Sequence, residues 1–144
     1  MFNLDVDDRI SFWSDLRKGI DSSTTPLQDV VDFWNSAPFT PHNHLIDPYY
    51  PASWPTPWEI IDHNKYDDFT KAIMIGYTIL LTEKFKNSSV QLKTLVDTQG
   101  KKLYNVVFVD DLWVLNYLDG EVVAADKVPS FYNLENLVEL KRPR

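Results

Sequence analysis

The chain has 144 residues and no cysteine, and its 14 Lys plus Arg stand against 21 Asp plus Glu for a formal charge of −7. Thiol catalysis and a disulfide scaffold are thereby excluded, and the acidic field disfavours phosphate-rich partners, so nucleic acid is not an expected ligand. With 44% hydrophobic and 14% aromatic residues, one sizeable core is expected, and residues 1–144 read as a single domain. The amino-terminal MFNLDVDDRI is acidic where a secretion signal would be basic and apolar, and no apolar run is long enough to span a bilayer. Synthesis and retention in the cytosol of the producing cell, with no membrane partner, is the expectation.

Residues 1–36 read as a helical pair. Over Asp7–Gly19 the side chains of Ile10, Trp13 and Leu16 share one helical face with Ile20, with Asp7 and Asp8 near the start. Pro26 suits the first turn of a second helix, where its missing donor costs nothing, and Thr24 or Thr25 is the expected cap. Leu27, Val30, Val31, Phe33 and Trp34 supply the apolar side of that helix. Residues 37–58 then change character: six of the nine prolines fall here, among Phe39, Tyr49, Tyr50, Trp54 and Trp58. Proline limits both helix and sheet, so an ordered aromatic connector pinned by its rings is expected. Trp54 and Trp58 are expected to be well buried, each costing about 3–5 kcal/mol on truncation to alanine.

Residues 59–144 carry the organising unit. A short helix with Pro57 in its first turn precedes NKYDDFTKAIMIGYTILLTEKF, where Phe69, Ala72, Ile73, Gly76, Ile79 and Leu80 recur at helical spacing. Asp67 and Asp68 sit where a helix start needs acceptors for its free amides. Val90–Val96 and Leu103–Val109 read as strands joined by a turn at residues 97–100, and Asp110-Asp111 forms a tight turn into a third strand, Leu112–Leu118. Trp113 is expected to face the central helix as a core residue. Phe131–Leu140 reads as an amphipathic segment before a basic tail, ELKRPR. The predicted fold class is α+β: amino-terminal helices and a central buried helix packed on a small antiparallel sheet.

That order, a buried helix opening on a capping residue followed by an antiparallel hairpin sheet, resembles the core of the transglutaminase-like and papain-like cysteine hydrolases. The resemblance implies a Cys at the helix start, a His on the second strand and an Asp or Asn on the third. The corresponding positions are Asp67 or Asp68, Asn105 and Asn116, so the frame is expected without the chemistry, with Asp67, Asn105 and Asn116 as the degenerate triad that the resemblance implies. A narrower resemblance lies in the succession DRISFW…LR, PLQDVVDFW, DP…SWPTPWEII and YDDF…YTILLTEKF, which is similar to small tailed-bacteriophage proteins encoded among virion genes. It implies a virion setting in neck, tail or baseplate, assembly in the host cytoplasm, and other virion proteins as partners, with copy number open.

Three polar groups carry competing readings. His42 and His44, with Asp47 and His63, suit a zinc or iron site by residue type, but the spacing equally describes a loop histidine pair, and no metal or cofactor is expected. Asp67 and Asp68 with Asp110 and Asp111 would make a cation site or an acid–base pair if they converged, and otherwise serve as cap and turn. Tyr66, Asn105 and Asn116 would be either a remnant cleft or a buried amide tie. Tyr49, Tyr50, Trp54, Trp58, Arg142 and Arg144 are the candidate interface residues. A non-enzymatic structural component is the expectation, with a carboxylate- or metal-dependent hydrolase of host cell-wall polymer as the alternative and a host-enzyme inhibitor as a third.

Overall fold

A computed structural model of the chain describes residues 1–143. The helices are α1 (Val6–Asp21), α2 (Pro26–Trp34), α3 (Pro57–His63) and α4 (Asp68–Leu80), and the strands are β1 (Val90–Asp97), β2 (Lys102–Val109), β3 (Trp113–Leu115), β4 (Val122–Ala124) and β5 (Asn133–Leu140). The strands form one antiparallel sheet in the order β4-β3-β2-β1-β5. The predicted α+β architecture is therefore the observed one.

Alternation decides which residues meet the helices. Val90 and Leu92 of β1 stand opposite Val109 and Val107 of β2, and all four are buried with Leu115 against α4. Helix α4 can lie close to the sheet because of Gly76, where a methyl group would overlap Leu140 Cδ1 and press on Val90 Cγ1 at 3.3 Å. The other sheet face has its own small core of Leu95, Val106, Phe108 and Val114, joined by Tyr104, Tyr117 and Tyr132. In the three-residue connection between β2 and β3, Asp110 and Asp111 stand in the left-handed region at φ 53° and 56°, and Leu112 N donates to the Val109 carbonyl at 3.0 Å to close the turn.

The helical layer is tied together by one hydroxyl. Thr78 Oγ1 accepts from Trp13 Nε1 at 3.0 Å and from Trp34 Nε1 at 2.9 Å, and donates to the Met74 carbonyl at 2.6 Å. All three side chains are fully buried, so α1, α2 and α4 meet at a saturated polar point inside an apolar core.

Several expectations need correction. The fully buried tryptophans are Trp13 and Trp34, whereas Trp54 and Trp58 are half-buried, meeting Phe69 and Trp13 edge to face at 5.6 and 6.2 Å. Thr25 takes the α2 cap position, but its hydroxyl donates to Asp29 Oδ1 and caps no backbone amide. The third strand is shorter than Leu112–Leu118 because Asn116 turns the backbone at φ 65°. The amphipathic segment ends in a strand, β5, because the open edge of β1 offers it a ladder. Strand β4 was not anticipated.

Candidate functional site

The site is built where α4 begins. Asn64 at φ 55° ends α3 in the left-handed conformation, and Asp67 caps α4 by accepting from Thr70 N at 2.7 Å. The other Asp67 oxygen accepts from Asn43 N at 3.0 Å, so both oxygens are committed to backbone. Asp68, one residue on, is the group that reaches the sheet: its Oδ2 accepts from Asn105 Nδ2 at 3.1 Å. Asn105 Oδ1 in turn accepts from Thr94 Oγ1 at 3.0 Å, and the Asn105 carbonyl accepts from Asn116 Nδ2 at 2.7 Å.

Helix start, second strand and third strand are thus joined in one hydrogen-bonded chain, Asp68 to Asn105 to Asn116. Asp68 and not Asp67 is its first member. The reason is geometric: the cap position turns its carboxylate back on its own helix, leaving the N1 side chain to point across. Beside Asp68 lies a hollow of about 140 Å³ bounded by Asn35, Phe39, Asp67 and Lys71. Chemically the chain offers a carboxylate and two amides, with no imidazole or thiol; amides donate and accept but exchange no proton near neutral pH.

The other sequence candidates divide. Tyr66 does not join Asn105 and Asn116: its ring is buried against Phe2 and Trp34 at 5.5 and 5.3 Å, and its hydroxyl has no hydrogen-bond partner among the described residues. Burial pushes that hydroxyl well above the ordinary tyrosine range. The four aspartates do not converge, because Asp110 follows the far end of β2 and accepts from Ser89 N at 2.8 Å. His42 and His44 do meet, edge to face with ring centres 4.6 Å apart, but among the described residues no three His, Asp or Glu side chains are arranged to hold a metal ion. Asp47 turns instead to its own loop, accepting from Tyr49 N at 2.9 Å.

The connector is pinned by amides more than by rings. Asn43, 3% exposed, donates through Nδ2 to the Lys65 carbonyl at 3.2 Å and to Thr70 Oγ1 at 3.4 Å, and Asn136 of β5 donates to the Pro48 carbonyl at 2.8 Å. Trp54 joins them, its Nε1 donating to the Asp47 carbonyl at 2.6 Å. Phe39, Tyr49 and Tyr50 are left in solvent at 74%, 69% and 60% exposure. Of the six interface candidates, then, Tyr49 and Tyr50 are available, while Trp54 and Trp58 serve the fold. Arg142 is drawn back onto α4, donating to the Leu80 carbonyl at 2.9 Å and standing 3.6 Å from Glu83, and Arg144 lies outside the described residues. Asn43 was missed in the sequence because a lone asparagine beside two histidines carries no pattern. No helix among the described residues is long and apolar enough to cross a membrane.

No family model and no curated protein matches the sequence. The coordinates are similar to solved structures of Legionella pneumophila LapG. Against the calcium-bound form the TM-score is 0.67 at 16% identity, covering 94% of this chain and 77% of that one. Against a second LapG structure it is 0.64 at 16% identity, covering 90% and 71%, and against the EGTA-treated form 0.61 at 16% identity with the same coverage. This likeness shows the transglutaminase-like (papain-like) fold. In a chain with no cysteine, that fold cannot act through a thiol.

Proposed function

We propose that the chain is a non-enzymatic, protein-binding form of the transglutaminase-like fold, serving as a structural or assembly component of a tailed-bacteriophage particle. The observation that supports the non-enzymatic reading is the Asp68–Asn105–Asn116 chain: the resemblance implies a thiol at the helix start and an imidazole on the second strand, and there this chain has a carboxylate and an amide, while Asn116 agrees with the Asp or Asn implied for the third. Asn105 is held on both sides, by Asp68 and by Thr94, so its amide is a structural tie between α4 and the sheet. A carboxylate hydrolase built on Asp67, Asp68 and Asp110 has less support, since Asp67 is spent on capping and Asp110 is bonded to Ser89 elsewhere.

The particle setting rests on the resemblance of four sequence blocks to virion-encoded phage proteins. The exposed rings of Phe39, Tyr49 and Tyr50 on a pinned connector suit contacts with neighbouring virion proteins, because aromatic side chains there give up little conformational freedom on binding. Quantitative mass spectrometry of gradient-purified particles tests the role. A constant copy number per particle is expected; normal particles from which the protein is absent would overturn it.

A further inference from the structure

At the Val109 end of β2, away from the Asp68–Asn105 contact, the inner face of the sheet runs out from under the helices. Trp113 stands opposite Val109 on one side and Ala124 on the other, which puts it on the same face as buried Leu115. That orientation agrees with expectation, yet Trp113 is 45% exposed and the adjoining Leu112 is 62% exposed. The α2 residues that border this end are those of its first turn, Pro26, Leu27 and Gln28. Between Pro26 and Leu27 of α2, Phe85, and Trp113 and Val122 of the sheet lies an open apolar hollow of about 430 Å³. On the other side of Leu112 and Trp113 a second hollow of about 330 Å³ is bounded by Ala124 and Asp126.

The two hollows share the Leu112–Trp113 ridge, and their charged lining is of one sign. Asp110, Asp111 and Asp126 border them, and among the described residues no Lys, Arg or His does. We propose that this ridge with its flanking hollows is a docking groove for a segment of a partner protein that presents bulky apolar side chains flanked by Lys or Arg. The apolar floor selects the anchors, the ridge separates two anchor positions, and the aspartate border selects a basic flank and disfavours an acidic one. The inference does not depend on the particle role or on the absence of catalysis.

Fluorescence anisotropy with the full chain tests it, using a fluorescein-labelled peptide Lys-Arg-Leu-Phe-Lys-Arg and its charge-reversed counterpart Glu-Asp-Leu-Phe-Glu-Asp. The basic peptide is expected to bind at least ~10-fold more tightly than the acidic one, with affinity falling as salt rises. Trp113→Ala is expected to weaken it at least ~10-fold, as removal of a central aromatic anchor does. The pair Asp111→Asn, Asp126→Asn is expected to flatten the salt dependence. Leu112→Ser guards against a folding defect in Trp113→Ala, since it alters the ridge at a side chain already in solvent, and thermal unfolding of each variant confirms the fold. Equal binding of both peptides, no binding of the basic one, or binding unchanged in both Trp113→Ala and Leu112→Ser would overturn the proposal. So would a concentration-dependent dimer that Trp113→Ala abolishes, because the occupant would then be a second copy.

Discussion

Thr78→Val replaces a hydroxyl by a methyl of nearly the same shape and removes the acceptor shared by Trp13 Nε1 and Trp34 Nε1. Both indoles are fully buried, so neither N–H gains water in exchange. An unsatisfied buried donor costs about 1–3 kcal/mol, and two of them put the expected loss at about 2–6 kcal/mol. The Met74 carbonyl remains in the helix ladder and contributes little to the difference. Urea denaturation at neutral pH reads the change as a lower midpoint at unchanged m-value. Thr78→Ser keeps the hydroxyl and is expected to lose only about 1 kcal/mol, the share of one buried methyl. Placing Thr78→Val in a Trp34→Phe background is expected to shrink its cost by about half, since one donor is already gone. A Thr78→Val protein within ~1 kcal/mol of wild type would refute the argument that this hydroxyl binds three helices together.

The site and the titrating groups give further expectations. Asp68→Cys with Asn105→His puts a single thiol at the start of α4 beside an imidazole; its pH profile of alkylation by iodoacetamide is expected to have a midpoint below the ~8.5 of a free thiol, and a midpoint at or above that value would show that the two positions do not face each other productively. Tyr66→Phe removes a buried hydroxyl that has no partner among the described residues and is expected to be neutral or stabilising by up to about 1 kcal/mol at pH 7 in urea unfolding. Burial raises the Tyr66 and Tyr77 hydroxyls above the ordinary tyrosine value of 10.0, so stability is complete below that pH and falls as pH rises beyond it; Tyr66→Phe is expected to lessen the fall. Hydrogen bonds from the Thr56 backbone and side chain hold the Glu59 carboxyl below its ordinary value of 4.5, so its contribution is present above that pH and is lost as acid titrates the folded form. Glu59→Gln is expected to remove that part of the acid-side slope.

Much of this was legible in the residues because the signals were local and periodic. Phe69 to Leu80 repeat at helical steps, and Val90 to Val109 alternate about a turn, so α4 and the first hairpin follow from patterning alone. The choice between Asp67 and Asp68 was not legible, since it depends on which carboxylate the cap consumes. Asn43, Thr78 and the single glycine that admits α4 to the sheet act through partners far along the chain, and a lone polar or small residue announces none of them. Trp113 shows the converse. Its face was readable from alternation, but its exposure depends on where a helix from another part of the chain happens to end. Strand β4, three residues long and half-buried, is too short to carry a period.

Strand β5 has a further consequence, in the order of synthesis. It follows every other element in the chain, yet it is the neighbour of β1 and delivers Leu140 against Gly76. A ribosome that has just released β2 has therefore produced a hairpin with one flank bare and the floor of the helix layer incomplete. Until Asn133–Leu140 emerges, that bare flank is open to any extended polypeptide nearby, its own sister chains on the same message included.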